Sequence, residues 1–560
     1  MAASITRMDD LRLFTKEVRR DVADRLQPSA LPGWRPLAPI RHLVLWLEQQ
    51  HWFLPVVGVI FLAATHEILR STLTLPLGLL SSVGLLLMIS FLMGALYVYV
   101  RGLQPKRVRR PRSLVLLGVV ILVVLLLIRL GLVVVTALQY SFPHIPLPAL
   151  RAALPVPLGG VLLAILFNPR LAFAGSLVLT MLTGVMLEAP IEYFLFTFVG
   201  SLVAIFSLTG RQGRTAFFRA GSALALANLY SVLSLALLTG NTDALLAVML
   251  GGVVNGLLVA VLATGLLPVL EHSFGVTTDF TLLELSNLNL PALRHLALVA
   301  PGTYYHSIMV GTLAEAAADA IGANSLLCRV GAYYHDIGKT RHPGYFIENH
   351  SDVVNPHDKL APSLSKAIVM SHVKEGLEMA EAWGLPEILA DLIPQHHGTR
   401  LVTYFYKRAK EQADPGLQEI KEEDYRYPGP KPQTREAAIL MLADAVEAAA
   451  RTLTDPTPDR VRGAVQKIIN GIFVEGQLDE CDLTLRDLHL IANSFARILT
   501  GIFHHRVDYP GVVLQDVGPK RNGDGDQSAK PAKNGSRRDP VAKRPGTEGP
   551  GRTEVPDGGG

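Results

Sequence analysis

Residues 113 to 138 read SLVLLGVVILVVLLLIRLGLVVVTAL, a run whose one charged residue is Arg129. A helix rises about 1.5 Å per residue, so roughly 20 apolar residues cross a hydrocarbon core about 30 Å thick. This run is apolar on every face, and a water-soluble core rarely hosts several such helices. Comparable runs lie at about 53–72, 76–100, 113–139, 150–167, 171–187, 192–209, 219–239 and 244–270. They predict eight membrane crossings. Cations cluster in RGLQPKRVRRPRS (101–113), at Arg170 and in GRQGRTAFFR (210–219), all on one side under eight crossings. The opposite loops, YSFPHIPLP, LEAPIE and GNTD, carry almost none. By the positive-inside rule both termini are then cytosolic. Arg129 costs about 2.5–3.5 kcal/mol at mid-membrane and should face the bundle, where Glu67 is a candidate partner.

The sequence changes solvent near residue 271, after which charged residues and almost all the clustered histidines occur. Four regions follow: a cytosolic leader (1–51), a transmembrane bundle (52–270), a cytosolic domain (271–516) and a disordered tail (517–560). The leader has no apolar stretch ahead of a small-residue cleavage site, and the tail is Gly, Pro and charge with little to bury. Net charge is only +4 with no basic face, which argues against a nucleic-acid polymer as partner. Two cysteines, Cys328 and Cys481, make no disulfide framework and read as reduced thiols.

From residue 281 the apolar residues recur at helical spacing, as in LLELSNLNLPALRHLALVA, and no alternating strand pattern competes. The whole chain is therefore expected to be all-α: a polytopic bundle followed by a helical cytosolic domain. That domain carries His306 in PGTYYHS, His335 and Asp336 in GAYYHDIGK, His372 in SHVKEG, His396 and His397 in PQHHGT, and Asp444 in LADAVEA. Imidazole and carboxylate together suit iron, manganese or zinc rather than calcium or magnesium. Asp336 has two oxygens and can join two cations, with His335 anchoring one of them. Two metals about 3.5–4 Å apart suit phosphodiester hydrolysis. His342, His350, His357, His504 and His505 fall outside these motifs and are expected to be ordinary polar residues.

Through these segments the chain resembles the HD-domain metal-dependent phosphohydrolases. Within them it resembles the seven-transmembrane phosphodiesterases of the PgpH type, which hydrolyse cyclic di-AMP. APGTYYHSIMV, RVGAYYHDIGK, GYFIEN, NPHDKL, SHVKEG, QHHGT, YRYPGPKPQTREAAILMLADAVEAA, QLDECDLTL and LTGIFHHRVDYP carry the resemblance. It implies one metal on His306, His335, Asp336 and Asp444, and a second on Asp336, His372, His396 and His397, both iron or manganese. Lys339 would meet a phosphate oxygen, making Asp336 and Lys339 the catalytic pair. Aromatics of TYFYKR and EEDYRYPGPKP would stack on or cover an adenine, or pack in the core. A branch cleaving cyclic di-GMP carries Gly-Tyr-Pro after its paired histidines, where this chain has HHGTRLVTYFYKR, so adenine is favoured.

The expected function is hydrolysis of cyclic di-AMP to 5'-pApA at the bacterial cytoplasmic membrane. The alternatives are another cyclic dinucleotide or nucleotide as substrate, or a receptor that binds without cleaving. Partners are the cyclic dinucleotide, the bilayer and a second copy through the HD domain. The family's large extracytoplasmic domain would follow the first span, where only RSTLTLP stands, so an external ligand is expected to find little surface. Control is expected to pass through EHSFGVTTDFTLLEL (271–285), which lacks a flexible linker's composition.

Overall fold

The computed structural model describes residues 50–73, 78–104, 108, 110–208, 213, 215–350, 355–413, 420–453 and 456–502. The leader before residue 50 and the tail, with His504 and His505, lie outside the described residues. The described residues form helices and no strand, apart from one isolated antiparallel bridge between Leu401 and Arg426.

The membrane half contains α1 (Phe53–Arg70), α2 (Leu79–Leu103), α3 (Pro111–Ser141), α4 (Leu147–Ala152), α5 (Leu158–Leu166), α6 (Pro169–Met186), α7 (Ile191–Leu208), α8 (Thr215–Thr239) and α9 (Leu245–Phe274). Among the described residues, seven of these helices are long and apolar enough to cross a membrane, and α4 and α5 are not among them. This makes a multi-pass membrane protein. Leu80, Phe91 and Leu238 are largely exposed, as lipid-facing side chains are, while Ile121, Val124, Leu125 and Ile128 of α3 are fully buried in the bundle. Helices α8 and α9 pack backbone against backbone where Gly221 and Gly256 meet, because a Cβ on either would collide with the other's carbonyl.

The eight expected crossings need one correction: 150–167 is not a continuous helix. Pro155 and Pro157 remove donors and clash with the preceding turn, so the segment divides into α4 and α5. The Asn168 amide donates to Gln104 Oε1 (2.9 Å), which sets the start of α6 beside the end of α2 and the start of α3. At the far end of α3, the carbonyl of Ala149 in α4 packs on Gly251, near the start of α9. The α4–α5 unit therefore runs from one end of the bundle to the other. Non-helical backbone at membrane depth has to be satisfied by protein. Here the Asn255 side-chain amide donates to the Leu154 carbonyl, and the Asn228 amide donates to Gly252 O (2.9 Å).

Glu67, the candidate partner of Arg129, does not pair with it. Glu67 lies 4.0 Å from Arg70 on its own helix, one turn on, while Arg129 is half-buried without Glu67.

Helix α9 continues past residue 270, where the sequence placed its end, to Phe274. It stops at Gly275, whose φ of 55° suits glycine. The Thr278 hydroxyl donates to Glu271 and its oxygen accepts the Phe280 N–H (3.2 Å), opening α10 (Asp279–Leu285). Phe280 stacks on Phe217 of α8 at 4.9 Å. No flexible tether intervenes.

The second half adds α11 (Pro291–Val299), α12 (Pro301–Ile321), α13 (Ser325–Tyr334), α14 (Pro362–Ala382), α15 (Glu387–Ala390), α16 (Leu392–Gln395), α17 (Thr403–Gln412), α18 (Arg435–Ala450), α19 (Pro458–Val474) and α20 (Leu485–Ile502). Proline in the first turn starts α11, α12, α14 and α19, and side chains of Asn324, Thr434 and Thr457 cap α13, α18 and α19. At the centre lies α18, whose residues 437–443 are all completely buried. A hydrophobic core of Val310, Val330, Ile393, Leu440, Ile469 and Phe495 holds α12, α13, α16, α19 and α20 around it. Cys328 and Cys481 are free.

Candidate metal centre

The seven ligand-type residues come from five places: His306 on α12, His335 and Asp336 just past the end of α13, His372 on α14, His396 and His397 just past α16, and Asp444 on α18. The fold brings them into two adjoining groups. In one, His306, His335, Asp336 and Asp444 each offer an atom within 4.8 Å of the others; in the other, His372, His396 and His397 do the same.

The motif HDIGK works through its glycine. After α13 the chain tightens into a 3₁₀ turn, Ile337–Thr340, and Gly338 rests on the α14 backbone at His372 and Gly376. A Cβ at 338 would strike the His372 carbonyl, so only glycine lets the turn approach the helix that carries the second group.

Asp336 then sits between the groups with its two oxygens divided. Oδ2 faces His335 Nε2 at 3.2 Å and His306 Nε2 at 3.6 Å. Oδ1 faces His372 Nε2 at 3.4 Å and His396 Nε2 at 3.7 Å. Asp444 Oδ1 completes the first group, 3.0 Å from His306 Nε2 and 3.7 Å from His335 Nε2. His397 closes the second, its ring 3.9 Å from that of His396 and 5.1 Å from that of His372.

Local backbone sets the imidazole orientation. Nδ1–H of His335 donates to Ala332 O (2.7 Å), that of His372 to Val369 O (2.5 Å) and that of His396 to Ile393 O (2.5 Å). Each Nδ1 being engaged, the Nε2 atoms point inward. His335 Nε2, His372 Nε2, His396 Nε2 and Asp336 Oδ1 are buried with no hydrogen-bond partner. Lone pairs aimed at one another in a dry interior are costly, and a cation among them removes that cost. The residues present therefore fit divalent metal ions.

Electrostatics divide the groups. Burial, reinforced by the charge of His335, pushes His396 down to about 3, and burial likewise lowers His372 and, more strongly, His397. The second group is neutral imidazole, ready to act as ligands. Burial opposes the charge of His335 too, yet Asp336 and Asp444 outweigh it and push that imidazole up to about 10. Asp336 is held well below the carboxylate range against burial by His335 and Lys339.

Lys339 stands 2.7 Å from Asp336 Oδ2 and 2.9 Å from Glu348 Oε1, so its ammonium bridges the two carboxylates. Glu348 also accepts from the Thr303 hydroxyl (3.1 Å). Two residues without a sequence-assigned role thus belong here: Glu348, in the quoted GYFIEN, and Glu447. His306 Nδ1–H donates to Glu447 Oε2 at 2.6 Å, and Arg451 Nε donates to Glu447 Oε1 at 2.6 Å. Glu447 is three residues past Asp444, a spacing that puts both on one helix face, which was the available signal.

The aromatics part company. Phe405 and Tyr425 fill a small core of their own, Tyr404 is exposed, and Tyr427 stacks on His397 with ring centres 4.2 Å apart. His342 faces Glu375 at 3.5 Å, and His357 Nε2 donates to Tyr345 O (2.9 Å); with His350 they stay outside both groups.

Two family models match: 7TM receptor with intracellular HD hydrolase over residues 79–278, and HD domain over 303–449. The first starts at α2 and ends just past α9. The chain is 40% identical over 436 residues to the cyclic-di-AMP phosphodiesterase PgpH of Bacillus subtilis, covering 76% of this chain and 60% of that one. It is 40% identical over 361 residues to the protein of the same name from Listeria monocytogenes, covering 64% of this chain and 50% of that one. An uncharacterised Synechocystis protein, slr0104, is 43% identical over 261 residues, 46% of this chain and 32% of that one. Crystal structures of the L. monocytogenes PgpH HD domain, alone and in complex with cyclic-di-AMP, are 49% identical. They cover 39% of this chain and 100% of the crystallised ones at a TM-score of 0.37. The chain thus spans 60% and half of the lengths of the two PgpH relatives. Over residues 79–278 the chain is thus similar to 7TM receptors with an intracellular HD hydrolase and over 303–449 to HD domains, and the histidine and aspartate groups converge in the second region.

Proposed function

We propose that the chain is a membrane phosphodiesterase that hydrolyses cyclic di-AMP to 5'-pApA with a pair of iron or manganese ions. The observation that carries this is Asp336, whose two oxygens serve two adjoining ligand groups. His306, His335 and Asp444 would hold one ion with Asp336, and His372, His396 and His397 the other. Bound there, two divalent ions would supply Lewis acidity toward a phosphodiester and lower the pKa of water.

The chain's own residues do the rest. Backbone carbonyls at Ala332, Val369 and Ile393 keep the imidazoles turned inward, and Glu447 does so for His306. Lys339 is steadied by Glu348 and lies at Asp336, where an ammonium would attract a phosphate oxygen. Tyr427 packs on His397 and so backs the second group. The names of the B. subtilis and L. monocytogenes relatives support adenine as the base. A receptor that binds without cleaving is disfavoured by the complete ligand set.

We also infer that the HD domain faces the cytosol. Arg101, Arg110, Arg112, Arg170 and Arg219 lie near helix ends on the side where α9 leads into the HD domain, in keeping with the positive-inside rule.

The test is turnover by the purified full chain, loaded with manganese or ferrous iron and offered cyclic di-AMP, cyclic di-GMP and linear dinucleotides. Hydrolysis of cyclic di-AMP to 5'-pApA, lost on chelation and restored by metal, is expected. Metal-loaded protein that binds but leaves all of them intact would overturn the reading.

A further inference from the structure

The bundle has a cleft of about 600 Å³ at the end remote from the HD domain. That volume is within the range of roughly 300–1,000 Å³ usual for small-molecule sites. It opens between α4, the turn joining α6 to α7 and the turn joining α8 to α9. Phe196, Val232 and Val248 supply an apolar wall, and Arg151, Glu192 and Asp243 supply charge.

Those charges are not spent on one another. Arg151 Nε and Glu192 Oε2 are shut off from solvent and have no hydrogen-bond partner among the described residues. The nearest phenol is committed elsewhere, since Tyr193 donates to the Arg151 backbone carbonyl at 3.1 Å. A guanidinium and a carboxylate half-buried in the apolar end of a membrane bundle need partners, and the open space beside them is where a partner would sit.

Backbone strain occurs at the same place. Among the described residues, the two non-glycine residues with left-handed φ are Glu188 (46°) and Ala244 (59°), chain neighbours of the lining residues Ala189, Asp243 and Leu245. Such conformations persist where surrounding structure imposes them, often at ligand sites. The floor is fixed too: α4, which carries Arg151, ends in the broken segment whose Leu154 carbonyl is held by Asn255 of α9. Discontinuous helices of this kind surround binding sites in other membrane bundles.

We propose that this cleft binds a compact zwitterion, its anionic group on Arg151 and its ammonium between Glu192 and Asp243, with the apolar wall receiving the rest. A free amino acid and the headgroup of phosphatidylethanolamine share this chemistry. The proposal rests on the bundle alone and is independent of what the HD domain hydrolyses.

The full chain in nanodiscs of phosphatidylcholine and phosphatidylglycerol is melted with each of the twenty free L-amino acids. In a second arm phosphatidylethanolamine is built into the disc and no amino acid is added. A rise in Tm in one arm is expected, and that arm identifies the source. Arg151→Gln and Glu192→Gln each weaken the ligand about ten-fold, the loss of a charge-assisted contact. Tyr140→Ala, exposed at the same end, leaves it unchanged. If either buried variant fails to assemble, Asp243→Asn on the exposed turn carries the test, and unchanged affinity there overturns the ammonium assignment. No shift in either arm, or a shift equal in wild type and variants, overturns the site.

Discussion

Replacing Glu447 by Gln should weaken one metal and spare the other. Glu447 accepts from His306 Nδ1 and Arg451 Nε, both at 2.6 Å, and is almost fully buried. A hydrogen bond to a charged group contributes about 1.5–3 kcal/mol, and a neutral one about 0.5–1.5. The amide keeps the shape and one acceptor, so the His306 contact weakens by roughly 1–1.5 kcal/mol, close to ten-fold in an equilibrium constant. Removing the carboxylate altogether in Glu447→Ala should reach the upper part of the 10–100-fold range typical of groups behind a metal ligand. The assay is equilibrium dialysis against manganese, read by elemental analysis, beside cyclic di-AMP turnover as manganese is raised. At limiting manganese the Gln variant should hold about half the metal of wild type, and its half-maximal manganese should rise about ten-fold. Turnover at saturating metal should recover, because the ligands themselves are intact. Equal weakening of both sites, or an unchanged manganese dependence, would refute the argument that Glu447 acts through His306.

Asp336→Asn should lose both metals and all turnover, since each of its oxygens faces a different group, whereas His342→Ala should keep both; metal content and rate together check this. Gly338→Ala inserts a Cβ into the His372 carbonyl and should cost about 1–3 kcal/mol. Calorimetry should record a fall of some 2–4 °C per kcal/mol for a domain of this size. Inserting Gly-Gly-Ser after Val276 should change the turnover of the full chain in liposomes at unchanged metal content; an unaltered rate would make the bundle a plain anchor.

Why some of this was legible follows from what each residue has to do. A candidate metal ligand must be one of a few residue types, so His306, His335, Asp336, His372, His396, His397 and Asp444 could be singled out from the chain alone, and the structure gathers them into two groups. The residues behind them are less constrained. An imidazole Nδ1 is held equally well by the carbonyl of Ala332 or by the carboxylate of Glu447, and a carbonyl has no sequence signature. Membrane runs were readable by length, but a hydropathy window averages over Pro155 and Pro157, so the broken α4–α5 unit looked like one more helix. Depth in the membrane can be counted along the chain, but rotation about a helix axis is set by packing. This is why Glu67 and Arg129, matched in depth, do not meet. The cleft was invisible for a similar reason: Arg151, Glu192 and Asp243 come from three separate segments, each bland alone.

The path from bundle to catalytic domain is made of short, directional contacts rather than a chain of loose residues. Val248 lines the far cleft on α9, and the same helix runs unbroken to Phe274, apart from the proline at 268 that α9 accommodates. Glu271 then takes the Thr278 hydroxyl, Thr278 starts α10, and Phe280 stacks back on α8. At the end of α10 the Leu285 carbonyl accepts the Tyr334 hydroxyl at 2.9 Å, and Tyr334 is the residue before His335 and Asp336. Spatial continuity alone does not make an energetic coupling; that needs an element with two arrangements that both ends can bias. The Gly275–Thr278 corner is the one place on this path where helix gives way to turn, and so the place where a rotation of α9 would be absorbed or passed on. If it is passed on, the first part of the site to feel it is Tyr334, and through it the Asp336 carboxylate that stands between the two candidate ligand groups.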